Sequence, residues 1–181
     1  MFSLTRLTLL ALLLAPTLAV ADLYGSKRDP MQHFFTPNLG DLKTAAAAAR
    51  AARRHAIFVM YVRDDCAYCE RMKANILSFA GVQGYYRRNF SVLAIDTRGA
   101  LPITDFAGKQ TTEKAFAAAQ GIKLTPTIIF YGFDGKPLAR INGEVREVHE
   151  FMLLGEFVAS GAYRTQTFAH YKQSLGSRKG G

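Results

Sequence analysis

Two cysteines, Cys66 and Cys69, stand three positions apart shortly after a seven-residue apolar run (AIFVMYV), and the chain contains no other cysteine. The β-branched and aromatic side chains of this run are typical of a strand buried on both faces of a sheet. The next three residues, RDD, break the run, and either Asp64 or Asp65 can cap a helix that extends from Cys66 to about Ser78. The cysteines are therefore predicted at a strand–turn–helix corner, with Cys66 in the first helical turn.

This placement predicts a chemical role for the cysteine pair. A disulfide that closes so short a ring adds little stability, because the stabilisation grows with loop length. The unpaired N–H groups at a helix N-terminus favour a thiolate at Cys66. Cys69 lies one turn further on the same helix face and can attack the mixed disulfide that Cys66 forms. Cys66 and Cys69 are therefore predicted to be catalytic, as the attacking and the resolving cysteine.

Two alternatives to a redox role are a zinc site and an inert disulfide. Zinc would need two further ligands, and the four histidines show no spacing that supplies them. An inert disulfide is less favoured, because a strand-to-helix corner is an unusual place for one. We therefore predict no metal and no cofactor.

Residues 1–21 predict a cleaved signal peptide. A positive charge precedes a nearly unbroken apolar stretch at 7–14, and Ala19-Val20-Ala21 matches the small-residue pattern of a cleavage site. The stretch is shorter than the roughly 20 apolar residues of a membrane-spanning helix. We expect export, followed by an N-terminal extension over 22–37; a membrane anchor formed by the uncleaved signal is the alternative.

The charge balance does not indicate a nucleic-acid partner. The chain has 23 basic and 14 acidic side chains and a formal net charge of +9. Its basic residues form short groups rather than a stripe, and no nucleic-acid-binding motif is present. We expect a basic, solvated surface and no nucleic-acid binding.

The rest of the chain predicts a mixed central sheet flanked by helices on both faces, in the order β-α-β-α-β-β-α after a first helix capped by Asn38. One domain is expected over 38–172, with a flexible tail over 173–181. The remaining predicted elements are a helix over 82–88, a strand over 90–96, a short hairpin within 102–110, a helix opened by Thr111 or Thr112 and closed by Gly121, a strand over 125–131, a turn at 133–136, a strand over 138–142, a helix over 147–160 and a short helix near Phe168 and Tyr171.

These motifs together resemble the thioredoxin fold, and in particular the SoxW-type group of exported thioredoxin-related proteins. The resemblance spans about residues 38–172. It is carried by the strand residues 57–62, Cys66-Ala67-Tyr68-Cys69, ITDFAG at 103–108, Leu124-Thr125-Pro126-Thr127, Glu150-Phe151, GAYR at 161–164 and Phe168.

The resemblance implies an α/β thioredoxin-like fold and an exported thiol–disulfide oxidoreductase, a monomer soluble in the periplasm after cleavage. It implies a cis peptide at Thr125-Pro126 beside the cysteine pair, where the Thr125 backbone pairs with an extended substrate segment. Tyr68 either contacts substrate or is solvated. The implied partners are disulfide-containing proteins as substrates and a membrane electron donor of the DsbD/CcdA type.

Three positions depart from the usual thioredoxin pattern. Met60 stands where thioredoxins usually carry a buried aspartate, so water, Glu70 or another group must take the proton of the resolving cysteine. Asp65 replaces the usual tryptophan, and Ala-Tyr replaces Gly-Pro between the cysteines.

Two rival functions remain open at the sequence level. The first is a disulfide oxidase or isomerase, although isomerases usually carry a dimerisation domain that residues 22–37 are too few to supply. The second is a thioredoxin-fold module that binds clients without turnover, such as a copper chaperone. Against copper, Met31, Met60, Met72 and Met152 do not cluster in sequence, and we expect them to fill the core.

Overall fold

A computed structural model describes residues 25–37 and 40–178 of the chain. The predicted signal peptide, Asn38 and the last three residues of the predicted tail lie outside the described residues. The elements are α1 (Pro30–His33), α2 (Leu42–Ala51), β1 (Ala56–Val62), α3 (Ala67–Met72) with a π-helical turn (Lys73–Leu77), α4 (Ala80–Asn89), β2 (Phe90–Asp96), β3 (Pro102–Thr104), β4 (Gln110–Thr112), α5 (Glu113–Ala119), β5 (Thr127–Tyr131), β6 (Pro137–Asn142), α6 (Val148–Ala159), a 3-10 turn (Ala162–Arg164) and α7 (Phe168–Arg178).

The central sheet has four strands in the order β2-β1-β5-β6. Strand β1 pairs in parallel with β2 and antiparallel with β5, and β5 pairs antiparallel with β6. The bounds of β1 and β2 coincide with the two predicted core strands, and the predicted mixed sheet is confirmed. The predicted hairpin forms a separate two-stranded sheet from β3 and β4.

Helices cover both faces of the sheet, because the side chains of each core strand alternate between two apolar clusters. On one face, Phe58 and Met60 pack in the same cluster as both cysteines. On the other face, Ile57 and Tyr61 pack in the cluster that contains α2 and α5 side chains. None of the described helices is long and apolar enough to cross a membrane.

The predicted N-terminal extension is part of the core. Asp29 caps α1 by accepting a hydrogen bond from the Met31 N–H, and the chain then buries Phe34 and Phe35. The Phe34 ring lies 5.6 Å from that of Phe58, centroid to centroid, and joins an aromatic cluster on the sheet. The extension is therefore an integral layer of the domain.

Three predicted boundaries differ from the structure. Helix α2 is capped by Asp41, whose carboxylate accepts from the Thr44 N–H at 2.8 Å, so the prediction of Asn38 as its cap was wrong. Strand β5 begins at Thr127, after the Thr-Pro dipeptide rather than with it. The helix after the cysteines changes at Lys73 from α to π hydrogen bonding.

The other expected elements follow the sequence closely. Thr112 caps α5 through the Ala115 N–H, and Gly121 follows that helix with a φ of 65°. Gly135 has a φ of 77° within the predicted turn, a conformation that glycine adopts without steric cost. Met60, Met72 and Met152 are buried in the core as expected, whereas Met31 is exposed.

Candidate active site

The cysteine pair lies at the predicted corner between β1 and α3, but neither Asp64 nor Asp65 caps the helix. Cys66 itself is the N-cap, and its Sγ accepts a hydrogen bond from the Cys69 N–H at 3.1 Å. Asp65 instead forms an ion pair with Arg63 at 2.8 Å. The Cys66 sulfur thus accepts the capping hydrogen bond that the sequence predicts for the carboxylate of Asp64 or Asp65.

Cys66 and Cys69 form a disulfide with a Cα–Cα distance of 5.2 Å. Cys66 is 4% exposed and Cys69 is completely buried. An incoming group therefore reaches Cys66 before Cys69. In the dithiol form, the N–H that contacts the Cys66 sulfur would favour a thiolate there.

Apolar side chains rather than a carboxylate surround the pair on the sheet side. Met60 is completely buried in the same cluster as both cysteines, at the position where thioredoxins usually have an aspartate. Glu70, which the sequence offered as a proton acceptor, is exposed and forms an ion pair with Lys73 at 2.8 Å.

The Thr125-Pro126 peptide bond is cis, and Pro126 is buried next to the first residue of β5. The N–H of Gly143 donates to the Pro126 carbonyl at 2.8 Å and ties the β6–α6 loop to this segment. The Thr125 hydroxyl is buried and has no hydrogen-bond partner among the described residues. A cavity of about 480 Å³ opens here, lined by Tyr68, Leu124, Thr125, Gly143, Glu144 and Arg146.

The structure thus brings Thr125 to the same cavity as Tyr68, which is 57 positions away and lies two residues after Cys66. The Tyr68 side chain is half exposed, and its ring centroid lies 4.6 Å from the Arg71 guanidinium carbon. Such cation–π contacts hold a ring in place while one of its faces remains accessible. Tyr68 thus lines the cavity, contacts Arg71 and keeps about half of its surface exposed to solvent.

Sequence reasoning missed a charge cluster on the rim of this cavity. Arg71 donates to both carboxylate oxygens of Glu144, at 2.9 and 3.2 Å, and Arg146 Nε donates to the same carboxylate at 2.7 Å. The hydrogen bond from Arg71 is the largest of the causes that hold the pKa of Glu144 below its ordinary value. Arg71 and Glu144 are 73 positions apart, so no local pattern signals the contact.

No group of three or more potential metal ligands comes together within residues 25–37 and 40–178. Each cysteine sulfur is bonded to the other. The site as described is thus a two-sulfur centre with a neighbouring open cavity.

A mixed four-stranded sheet with a Cys-x-x-Cys disulfide at the start of a helix defines a thioredoxin-fold protein. The family model described as thioredoxin-like domain matches residues 42–159, and the chain belongs to this family. Among the curated proteins, none matches the chain.

Solved structures show the same fold. A thioredoxin-fold protein from Helicobacter pylori is 15% identical with a TM-score of 0.57, and the alignment covers 88% of this chain and 91% of that one. A DsbH oxidoreductase is also 15% identical, with a TM-score of 0.50 and coverage of 84% of this chain and 94% of that one. The chain thus shares its fold with these two proteins.

Proposed function

We propose that this chain is an exported thiol–disulfide oxidoreductase, a periplasmic thioredoxin-like reductase of the SoxW type. The observation that supports this proposal most strongly is the difference in exposure between the two cysteines. Cys66 retains 4% exposure and its sulfur accepts the Cys69 N–H, while Cys69 is completely buried. This asymmetry supports attack on the client by Cys66 and resolution by Cys69.

The proposed reaction consists of two thiol–disulfide exchanges. The Cys66 thiolate attacks one sulfur of a client disulfide, forms a mixed disulfide and releases the other client sulfur as a thiolate. The Cys69 thiolate then attacks Cys66 Sγ, closes the Cys66–Cys69 disulfide and releases the second client thiolate. The client disulfide gains two electrons, and the dithiol of this chain loses two. A membrane dithiol donor of the DsbD/CcdA type reopens the disulfide by the reverse exchanges.

The client segment is proposed to lie in the cavity beside Cys66. An extended segment that pairs with the Thr125 backbone would run past the cysteine, and Pro126 and Tyr68 would line its path. The cavity lined by Tyr68 and Thr125 and the unpartnered Thr125 hydroxyl support this placement. No cofactor is required, because all electrons pass through sulfur.

We further propose that residues 1–21 direct export and that the chain acts as a soluble monomer in the periplasm. The segment has the sequence pattern of a signal peptide. An oxidising compartment is also where a protein dithiol needs an external electron donor, which is consistent with the proposed membrane partner.

The test is catalysed reduction of a protein disulfide with dithiothreitol as the electron source. We expect the wild-type chain to accelerate the reduction and Cys66→Ser to abolish the acceleration. Cys69→Ser should accumulate a mixed disulfide with the client, visible by non-reducing electrophoresis. Equal rates for wild type and Cys66→Ser would contradict the proposal and favour a client-binding module without turnover.

A further inference from the structure

The cavity lined by Tyr68 and Thr125 shares two lining residues with a second cavity. The second cavity has a volume of about 370 Å³ and lies along α3 and the π-helical turn, where Met72, Asn75 and Ile76 line it. Glu144 and Arg146 line both cavities. The two cavities therefore adjoin at Glu144 and Arg146, and we refer to them together as the groove.

The middle of this groove carries an unneutralised positive charge. One carboxylate, Glu144, accepts hydrogen bonds from two guanidinium groups, those of Arg71 and Arg146. Arg71 uses two of its nitrogens, whereas Arg146 binds Glu144 only through Nε. The two terminal nitrogens of Arg146 contact no acceptor among the described residues, and the side chain is 73% exposed.

The other charges near the cysteine pair are mostly paired with each other. Asp65 lies between Arg63 and Arg98, and Glu70 pairs with Lys73. Asp64, two residues before Cys66, has no ion pair within the described part of the chain and opposes an anionic client. Arg71 and Arg146 both line the groove, but Arg71 binds Glu144 through Nε and one terminal nitrogen, whereas Arg146 keeps both terminal nitrogens open among the described residues.

The entrance of the groove is apolar. Tyr68 and Leu124 are about half exposed, and they are two of the four large exposed hydrophobic side chains among the described residues. Exposed apolar side chains beside a cavity are typical of a surface that binds a partner. An apolar side chain of a client would be desolvated here, next to Cys66.

We propose that the groove selects client segments that carry an acidic side chain a few residues from the reacting cysteine. The carboxylate accepts from the two terminal nitrogens of Arg146, while an apolar neighbour packs on Tyr68 and Leu124. A guanidinium fork matches a carboxylate in this way. This inference rests on the proposed function, because it describes the substrate of the same site.

The test uses two sets of three peptides, each peptide with one internal disulfide. Within a set the peptides differ only in having glutamate, glutamine or lysine at one position near a cysteine. This position precedes the cysteine in one set and follows it in the other. The readout is the rate at which Cys69→Ser captures each peptide as a mixed disulfide through Cys66. Because exposed charge pairs contribute modestly, we expect glutamate to exceed glutamine by roughly threefold and lysine by roughly tenfold at low salt. The preference should shrink as salt screens the charges.

Arg146→Gln in the Cys69→Ser background should remove the preference, Arg146→Lys should retain most of it, and Arg146→Glu should favour the lysine peptide. Arg98→Gln is the matched control, because Arg98 is also an exposed arginine near the pair but does not line the groove. Its preference should equal that of the parent.

The outcomes separate this inference from the proposed function. Equal capture of all three peptides, or a preference that persists in Arg146→Gln, would overturn the acidic selectivity and leave the redox role intact. Failure to capture any peptide would contradict the proposed function itself. Capture depends only on the Cys66 thiolate and a peptide disulfide, so it reports selectivity whichever way electrons flow in the cell.

Discussion

Replacing Phe34 by alanine should destabilise the domain severely, although Phe34 lies before the residues that match the family model. The side chain is completely buried. Its ring centroid lies 5.1 Å from Phe35, 5.6 Å from Phe58, 5.5 Å from Tyr86 and 6.1 Å from Phe151. Phe34 thus connects the N-terminal segment, β1, α4 and α6.

The magnitude follows from the cavity that the substitution leaves. Truncation of a buried phenylalanine to alanine costs about 3–5 kcal/mol, and each lost aromatic pair adds to the loss of buried area. With four aromatic partners within 6.1 Å, we expect Phe34→Ala in the upper half of that range. Domains of this size are typically stable by about 5–15 kcal/mol, so the variant would be marginal.

The assay is urea unfolding of the mature chain, followed by circular dichroism. Phe34→Leu keeps part of the volume and should lose roughly 1–2 kcal/mol, so it remains measurable even if Phe34→Ala does not fold. Met31→Ala is the matched control, because Met31 lies in the same segment but is 54% exposed, and its change should stay within about 0.5 kcal/mol. Equal, small losses for Phe34→Leu and Met31→Ala would refute the conclusion that the segment is part of the core.

Two further substitutions test the packing. Burial raises the pKa of Glu113 above its ordinary value of 4.5. Between pH 4.5 and the raised pKa, the folded state therefore binds more protons than the unfolded state. The free energy of unfolding of wild type, relative to Glu113→Gln, should therefore fall as the pH rises above the ordinary value of 4.5, measured by urea unfolding at a series of pH values. Gly155→Ala should destabilise α6 by about 1–3 kcal/mol in the same assay, although alanine is the better helix former, because overpacking outweighs propensity. A Cβ at Gly155 would lie 2.7 Å from Tyr85 Cε1 and 3.3 Å from the Tyr86 hydroxyl.

A stability difference that does not vary with pH would contradict the first of these expectations, and a stabilised Gly155→Ala chain would contradict the second. Gly176→Ala is the control for the glycine, because a Cβ there meets nothing within 4 Å. That exposed helical position should show the usual gain from alanine or no change.

The strands could be predicted well because their signal is local. β1 is a continuous apolar run and β2 is mostly apolar, with Ser91 within it and Asp96 at its end, and the bounds of both strands agree with the predicted ones. The cap of α3 was predicted incorrectly, because an aspartate is the usual cap whereas here the Cys66 sulfur receives the N–H. The helix-capping propensity of aspartate does not show that Asp65 forms ion pairs with Arg63 and Arg98.

The parts of the site that sequence reasoning missed depend on long-range contacts. Arg71 is an ordinary helix residue in sequence, and Glu144 is an ordinary loop residue. Only the packing of the β6–α6 loop against α3 brings the guanidinium and the carboxylate to 2.9 Å. For the same reason the burial of Phe34 could not be inferred, because its partners lie on strands and helices distant in the chain.

The equilibrium reduction potential of the Cys66–Cys69 pair tests the proposed reductase role, measured in glutathione or dithiothreitol redox buffers on the mature chain. We predict a value below about −220 mV, at which the dithiol donates electrons to client disulfides and must be recharged by a membrane donor. A value above about −150 mV would contradict the reductase role and make the chain an oxidant of client thiols.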